Sequence, residues 1–134
     1  MAAVKAFLAG FLATLFFHQP TLFLLKLAGF TDRAPYPMQA VPPFGVPAVI
    51  SLSFWGGVWG ILLWLVLRRR KESTYWTMAL LFGAIAPTLV AGLVVAPLKH
   101  QPTPRGWQMI VLGLIVNAAW GLGTAFFLRL FRAK

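Results

Sequence analysis

Four apolar runs, separated by short basic or proline-rich stretches, take up most of this chain. A helix rises about 1.5 Å per residue, so about 20 apolar residues cross the roughly 30 Å hydrocarbon core of a bilayer. Residues 4–25, 48–67, 75–98 and 106–131 each reach that length. They leave no room in 134 residues for a water-soluble domain. The spacing therefore predicts a single all-α membrane domain, residues 1–134, with four transmembrane helices. Composition agrees, with 60% hydrophobic residues, only 10% charged and a mean hydropathy of +0.80. Soluble domains are about a quarter charged.

Several chemistries are excluded by what the chain lacks. It has no cysteine, which removes disulfides, thiolate nucleophiles and iron–sulfur ligation. Its two acidic residues, Asp32 and Glu72, fall between the apolar runs. Carboxylate proton relays within a span, paired-carboxylate hydrolysis and carboxylate-bridged metal pairs are thereby excluded. The formal charge of +10 is not read as a nucleic-acid signature, because most basic residues sit at helix ends, where they meet anionic headgroups. Lys5 precedes an apolar run, as in a signal peptide, but the run ends in Leu15, Phe16, Phe17 and His18 with no small-x-small cleavage site. A retained first span is expected.

The first span reaches Pro20 and either continues, kinked, to Leu25 or breaks there, leaving a short interfacial helix around Lys26. Gly29 is a plausible left-handed stop. Residues 31–47 carry Pro35, Pro37, Pro42, Pro43 and Pro47, so they form an extended or polyproline-like loop. Tyr36, Met38, Val41, Phe44 and Val46 make that loop apolar enough to pack on helix ends or the membrane interface. With the N-terminus inside, the inner side carries Lys5, Arg68, Arg69, Arg70, Lys71, Arg129, Arg132 and Lys134. The outer side then has only Lys26, Arg33, Lys99 and Arg105. The positive-inside rule thus favours both termini in the cytoplasm and an extracytoplasmic proline-rich loop. His18-Gln19-Pro20-Thr21 recurs as His100-Gln101-Pro102-Thr103, and Trp59-Gly60 as Trp120-Gly121. These matches either reflect a parallel duplication of a two-helix unit or are chance in a low-complexity apolar chain.

Helix periodicity gathers small and polar residues into stripes. Ala6, Gly10, Thr14 and His18 share a row on the first span, and Ala84, Thr88, Gly92 and Ala96 on the third. Ser53 and Gly57 lie beside Gly56 and Gly60 on the second, and Gly113, Asn117 and Gly121 align on the fourth. Small residues let helices approach closely in lipid, where hydrophobicity gives little drive to associate. Gly10, Gly56, Gly60, Gly92, Gly113 and Gly121 are therefore expected to mediate helix packing, within one chain or between chains. Arg68, Arg69, Arg70 and Lys71 are expected to meet lipid headgroups.

His18, Thr14, Asn117, Thr88, Ser53 and His100 are the candidates for a polar path or a ligand site. His18 lies roughly 20 Å from the inner end of its helix, toward the outer side. It is a packing histidine bonded to Thr14, Asn117 or a carbonyl freed by Pro20, a group on a polar path, or a haem or metal ligand with His100. Two histidines without carboxylate or thiolate make a thin metal site, so no metal is assigned and the cofactor is left unknown. Ser51 and Ser53 lack an acid to orient a histidine, which makes a catalytic nucleophile a poor reading.

Phe17-His18-Gln19, Arg33-Ala34-Pro35-Tyr36, Pro42-Pro43-Phe44-Gly45-Val46-Pro47 and Phe54-Trp55-Gly56-Gly57-Val58-Trp59-Gly60 resemble a family of small four-helix bacterial inner-membrane proteins. The resemblance covers about residues 7–65, implies a multi-pass bacterial inner-membrane setting, and transfers no activity to any residue. The functional expectation is a non-enzymatic accessory or scaffolding subunit, partnered by the lipid bilayer and by other membrane proteins or its own copies. The alternatives are a small oligomeric transporter or channel, and a haem- or quinone-associated membrane protein.

Overall fold

The computed structural model describes residues 1–42, 44–95, 98 and 107–133. Four of its helices are long and apolar enough to cross a membrane: Ala2–Leu27, Ala48–Leu67, Glu72–Val94 and Trp107–Leu130. They are called α1 to α4, and they make the chain a multi-pass membrane protein. In hydrocarbon a helix is the one open-chain structure that satisfies its own backbone.

Pro20 does not break α1. An α-helix over Ala2–Ala13 passes into a π turn over Thr14–His18 and resumes over Gln19–Leu27. The wider turn absorbs the proline, because the Gln19 N–H reaches back five residues to the Thr14 carbonyl. The next bond in that register would run from Pro20 to the Leu15 carbonyl, and proline has no N–H to give. The Tyr36 hydroxyl donates to that carbonyl instead, at 2.7 Å. The helix ends at Gly29, whose φ of +80° is open to glycine without penalty. The Gly29 N–H donates to Lys26 and the Phe30 N–H to Leu25, both at 3.0 Å, which closes the last carbonyls in a Schellman cap.

The loop that follows is more ordered than an extended linker. Ala40–Val41 (β1) and Val46–Pro47 (β2) pair antiparallel, in the register Ala40 with Pro47 and Val41 with Val46. Gly45, at φ +69°, makes the turn between them. Prolines at both edges keep the ladder this short, since they cannot donate to it. The loop also caps α2. Pro47 at its N-cap offers no side-chain acceptor, so the Ala48 and Val49 N–H groups donate to the Gln39 and Pro37 carbonyls, at 2.9 and 2.8 Å.

α1 and α4 form the centre of the bundle. α1 packs against both α2 and α4, and α3 packs chiefly against α4. The main core joins Ala9, Ala13, Leu63, Trp64, Trp120 and Leu128. Backbones nearly touch at two crossings. A Cβ placed on Gly60 would lie 2.6 Å from the Ala6 carbonyl oxygen and 2.9 Å from Gly10 Cα. One placed on Gly121 would run into the Ala79 carbonyl and lie 2.9 Å from Gly83 Cα. The same Ala-x-x-x-Gly surface thus receives a glycine in each hairpin. On α3 the contact row is Tyr75, Ala79 and Gly83, all buried; of the expected row, Ala84, Thr88 and Gly92 lie beside it, half-buried, and Ala96 lies outside the described residues.

Gly10→Ala places its methyl against the Gly56 carbonyl and Gly121→Ala against that of Ala79. Each is expected to destabilise the bundle by about 1–3 kcal/mol. At Gly113 the nearest obstacle is the Thr88 methyl at 3.2 Å, the end of a side chain. Gly113→Ala should therefore change stability by less than about 1 kcal/mol. Reversible unfolding in mixed micelles measures all three, and equal losses would contradict the crossings.

Candidate functional site

The π turn decides which side chains reach the interior of α1. In a regular helix Thr14 would be followed on its row by His18, four residues on. The π turn inserts one residue, so the row passes from Ala6, Gly10 and Thr14 to Gln19 instead. Gln19 is 1% exposed, whereas His18 is half-buried at the edge of the row. The expected stripe is corrected at its last member, and the cause is Pro20.

Gln19 is held from two sides. Its Oε1 accepts the Tyr36 N–H at 2.6 Å, and its Nε2 lies 2.9 Å from His18 Nδ1. The first bond fixes which way the amide points, so Nε2 donates and Nδ1 accepts. A neutral His18 ring then carries its proton on Nε2. Asn117 of α4 lies beside the same imidazole. Its Nδ2 donates to Thr88 Oγ1 of α3 at 2.8 Å. Thr88, Asn117, His18, Gln19 and the Tyr36 backbone thus form a polar chain across α3, α4, α1 and the loop. It sits at the end of the bundle that carries the loop, here the loop end.

The structure brings together three of the six expected polar residues, His18, Asn117 and Thr88. Thr14 and Ser53 serve elsewhere. Both are buried, and their hydroxyls bond back to their own helices, Thr14 to the Gly10 carbonyl at 3.1 Å and Ser53 to Val49 at 2.8 Å. His100 lies outside the described residues, as do Lys99, Gln101 and Arg105. The carbonyl freed by Pro20 goes to Tyr36 rather than to His18. Gly113 and Asn117 face Thr88, Gly56 faces Thr14, and Gly92 falls in the second π turn, Ala91–Val95.

Periodicity missed Gln19 and Tyr36, and it missed two indole and phenol anchors. Trp120 Nε1 donates to the Gly10 carbonyl at 3.1 Å, and the Tyr75 hydroxyl to Ala125 at 2.7 Å. A proline two residues past an aromatic-histidine string was the sequence signal for Gln19. Nothing in the sequence pairs Trp120 with a glycine 110 residues away.

The opposite end, which carries both termini, is cationic. Arg68, Arg69, Arg70 and Lys71 are exposed there. Arg129 grips the Glu72 carboxylate with its two terminal guanidinium nitrogens, Nη1 and Nη2, and stacks 4.0 Å over the Tyr75 ring. Among the described residues no three histidine, cysteine or acidic side chains gather as a metal site would need. Comparison with protein-family models, curated proteins and solved structures finds no match.

Hydrogen bonds between membrane helices couple by about 0.6 kcal/mol on average and by less than about 2 kcal/mol. A double-mutant cycle on Thr88→Val and Asn117→Leu should return a coupling in that range. A coupling of zero would mean that the two helices are not joined at this point.

Proposed function

We propose that the chain is a non-enzymatic membrane subunit that packs against other membrane proteins. The observation that carries this reading is the exposure of α3. In its most apolar window 11% of residues are buried within the chain, against 33–39% for the other three helices. α3 leans on α4 through Ala79 and Gly83 and turns Leu81, Ile85 and Leu89 outward. The buried polar groups support the same reading. Thr14, Ser53 and Thr124 bond to their own helices, and Gln19 is held by the loop. Groups committed in this way have their hydrogen bonds met within the chain.

The second reading is a small oligomeric transporter or channel. The link Thr88–Asn117–His18 favours it, since His18 is half-buried and its chain crosses three helices. Loss of solute flux in His18→Ala proteoliposomes, with the bundle intact, would support this reading over the first.

The setting proposed is the bacterial inner membrane, with both termini in the cytoplasm and the loop outside. The paired Ala-x-x-x-Gly crossings support a parallel duplication, with α1–α2 and α3–α4 as the repeated hairpins. The second π turn, two residues before Pro97 in the sequence as the first is before Pro20, points the same way.

Two measurements check these proposals. A photo-crosslinking residue at Leu81, Ile85 or Leu89, activated in the native membrane, should trap a second polypeptide. Capture of lipid alone from all three positions would overturn the subunit reading. The cysteine-free chain also allows clean topology mapping. An impermeant maleimide added to intact cells should label Thr31→Cys and spare Ala2→Cys; the reverse pattern would invert the topology.

A further inference from the structure

A cleft of about 540 Å³ opens at the terminal end, between the end of α2, the start of α3 and the end of α4. Arg68, Arg70, Arg129 and Arg132 line it, above Leu67 and Leu128, which are buried. We propose that this cleft binds a phosphate-bearing anion, the head of an anionic lipid or a free phosphate.

Charge accounting leads to this conclusion. The chain has two acidic side chains, Asp32 and Glu72. Asp32 lines a separate cleft at the loop end with Phe30 and Trp107. Glu72 is taken by Arg129. Among the described residues, Arg68, Arg70 and Arg132 therefore share one concavity with no side-chain carboxylate beside them, an arrangement of like charges that an anion would relieve. Arg129 is the fixed wall of the site. Glu72 holds its guanidinium and the Tyr75 ring lies beneath it.

The backbone points the same way. α4 ends in a Schellman turn, with the Arg132 N–H on Arg129 at 3.0 Å and the Ala133 N–H on Leu128 at 2.9 Å. The left-handed position of that turn, at φ +52°, is held by Arg132. Glycine or asparagine would fit there at lower cost. The strained residue is the one that carries a guanidinium to the cleft. Arg70 is positioned too, by its Nε bond to the Val66 carbonyl at 3.3 Å, and Arg68 lies 5.2 Å over the Trp64 ring. Guanidinium groups bind phosphate through paired N–H donors, which sets them apart from lysines at a general basic surface. Arg69 and Lys71 of the same run do not line the cleft. The site stands whether or not a protein partner covers α3.

The test uses the full chain in mild detergent and native mass spectrometry. Wild-type protein should retain phosphatidylglycerol in preference to phosphatidylcholine. Arg70→Gln/Arg132→Gln should lower that retention about tenfold or more, since each arginine near an anionic headgroup contributes roughly fivefold. Lys5→Gln/Lys26→Gln, which removes equal charge elsewhere, should change it by less than about twofold. Equal loss in both variants, or equal retention of the two lipids by the wild type, would overturn the proposal. If Arg70→Gln/Arg132→Gln fails to fold, Arg70→Lys/Arg132→Lys, which keeps the charge and removes the paired donors, should still lower the retention, and unchanged retention would overturn the proposal. Millimolar inorganic phosphate separates the sources: displacement of the bound lipid assigns the site to soluble phosphate, and no displacement assigns it to the lipid headgroup.

Discussion

The carbonyl of Gly10 is the point on which this bundle turns. It accepts the Thr14 N–H of its own helix, the Thr14 hydroxyl, and the Trp120 indole N–H from α4. On the same turn of α1, the missing side chain of Gly10 lets the α2 backbone in at Gly56 and Gly60. One residue therefore joins three helices. Lipid offers no water to satisfy stray donors and no hydrophobic drive to push helices together. Close backbone contact and a few well-placed hydrogen bonds replace both. The crossing of α3 and α4 at Gly83 and Gly121 follows from the same physics, with Tyr75 taking the Ala125 carbonyl nearby.

Much of this architecture was legible in the sequence because it depends on length and on residue size. The four apolar runs match the helices to within a few residues, except at the end of the third run, where residues 96 and 97 lie outside the described ones. α3 also starts three residues earlier than expected. It begins at Glu72, where an acidic first turn suits the helix dipole and Arg129 is in reach. Gly56 and Gly60, one row in the sequence, meet α1, and Gly113, Asn117 and Gly121, another row, meet α3. What periodicity could not give were features set by a change in the period itself. One π turn moves the inward position from His18 to Gln19, and with it the centre of the polar chain. The contacts of Tyr36, Trp120 and Arg129 depend on tertiary geometry that no local pattern encodes.

The two ends of the bundle use different chemistry. At the loop end, amide, hydroxyl and imidazole groups line up in a polar chain that reaches from α3 to the loop. At the terminal end, charge dominates, and aromatic rings serve as surfaces on which guanidinium groups rest. Arg68 lies over Trp64, and Arg129 over Tyr75 and Trp76. The bundle is thus polarised along its axis. Among the described residues, one end is joined by hydrogen bonds between amide, hydroxyl and imidazole groups, while the other gathers guanidinium groups.

The bond between Tyr36 and the Leu15 carbonyl ties the loop to the middle of α1. An unpaired carbonyl in hydrocarbon costs several kcal/mol, so the phenol stabilises a helix to which it does not belong. α2 leans on the same loop, because its first N–H groups donate to the Gln39 and Pro37 carbonyls. A few residues of loop thus complete the backbone of both helices of the first hairpin. Damage to that loop would be felt as two defective helices rather than as one altered connection.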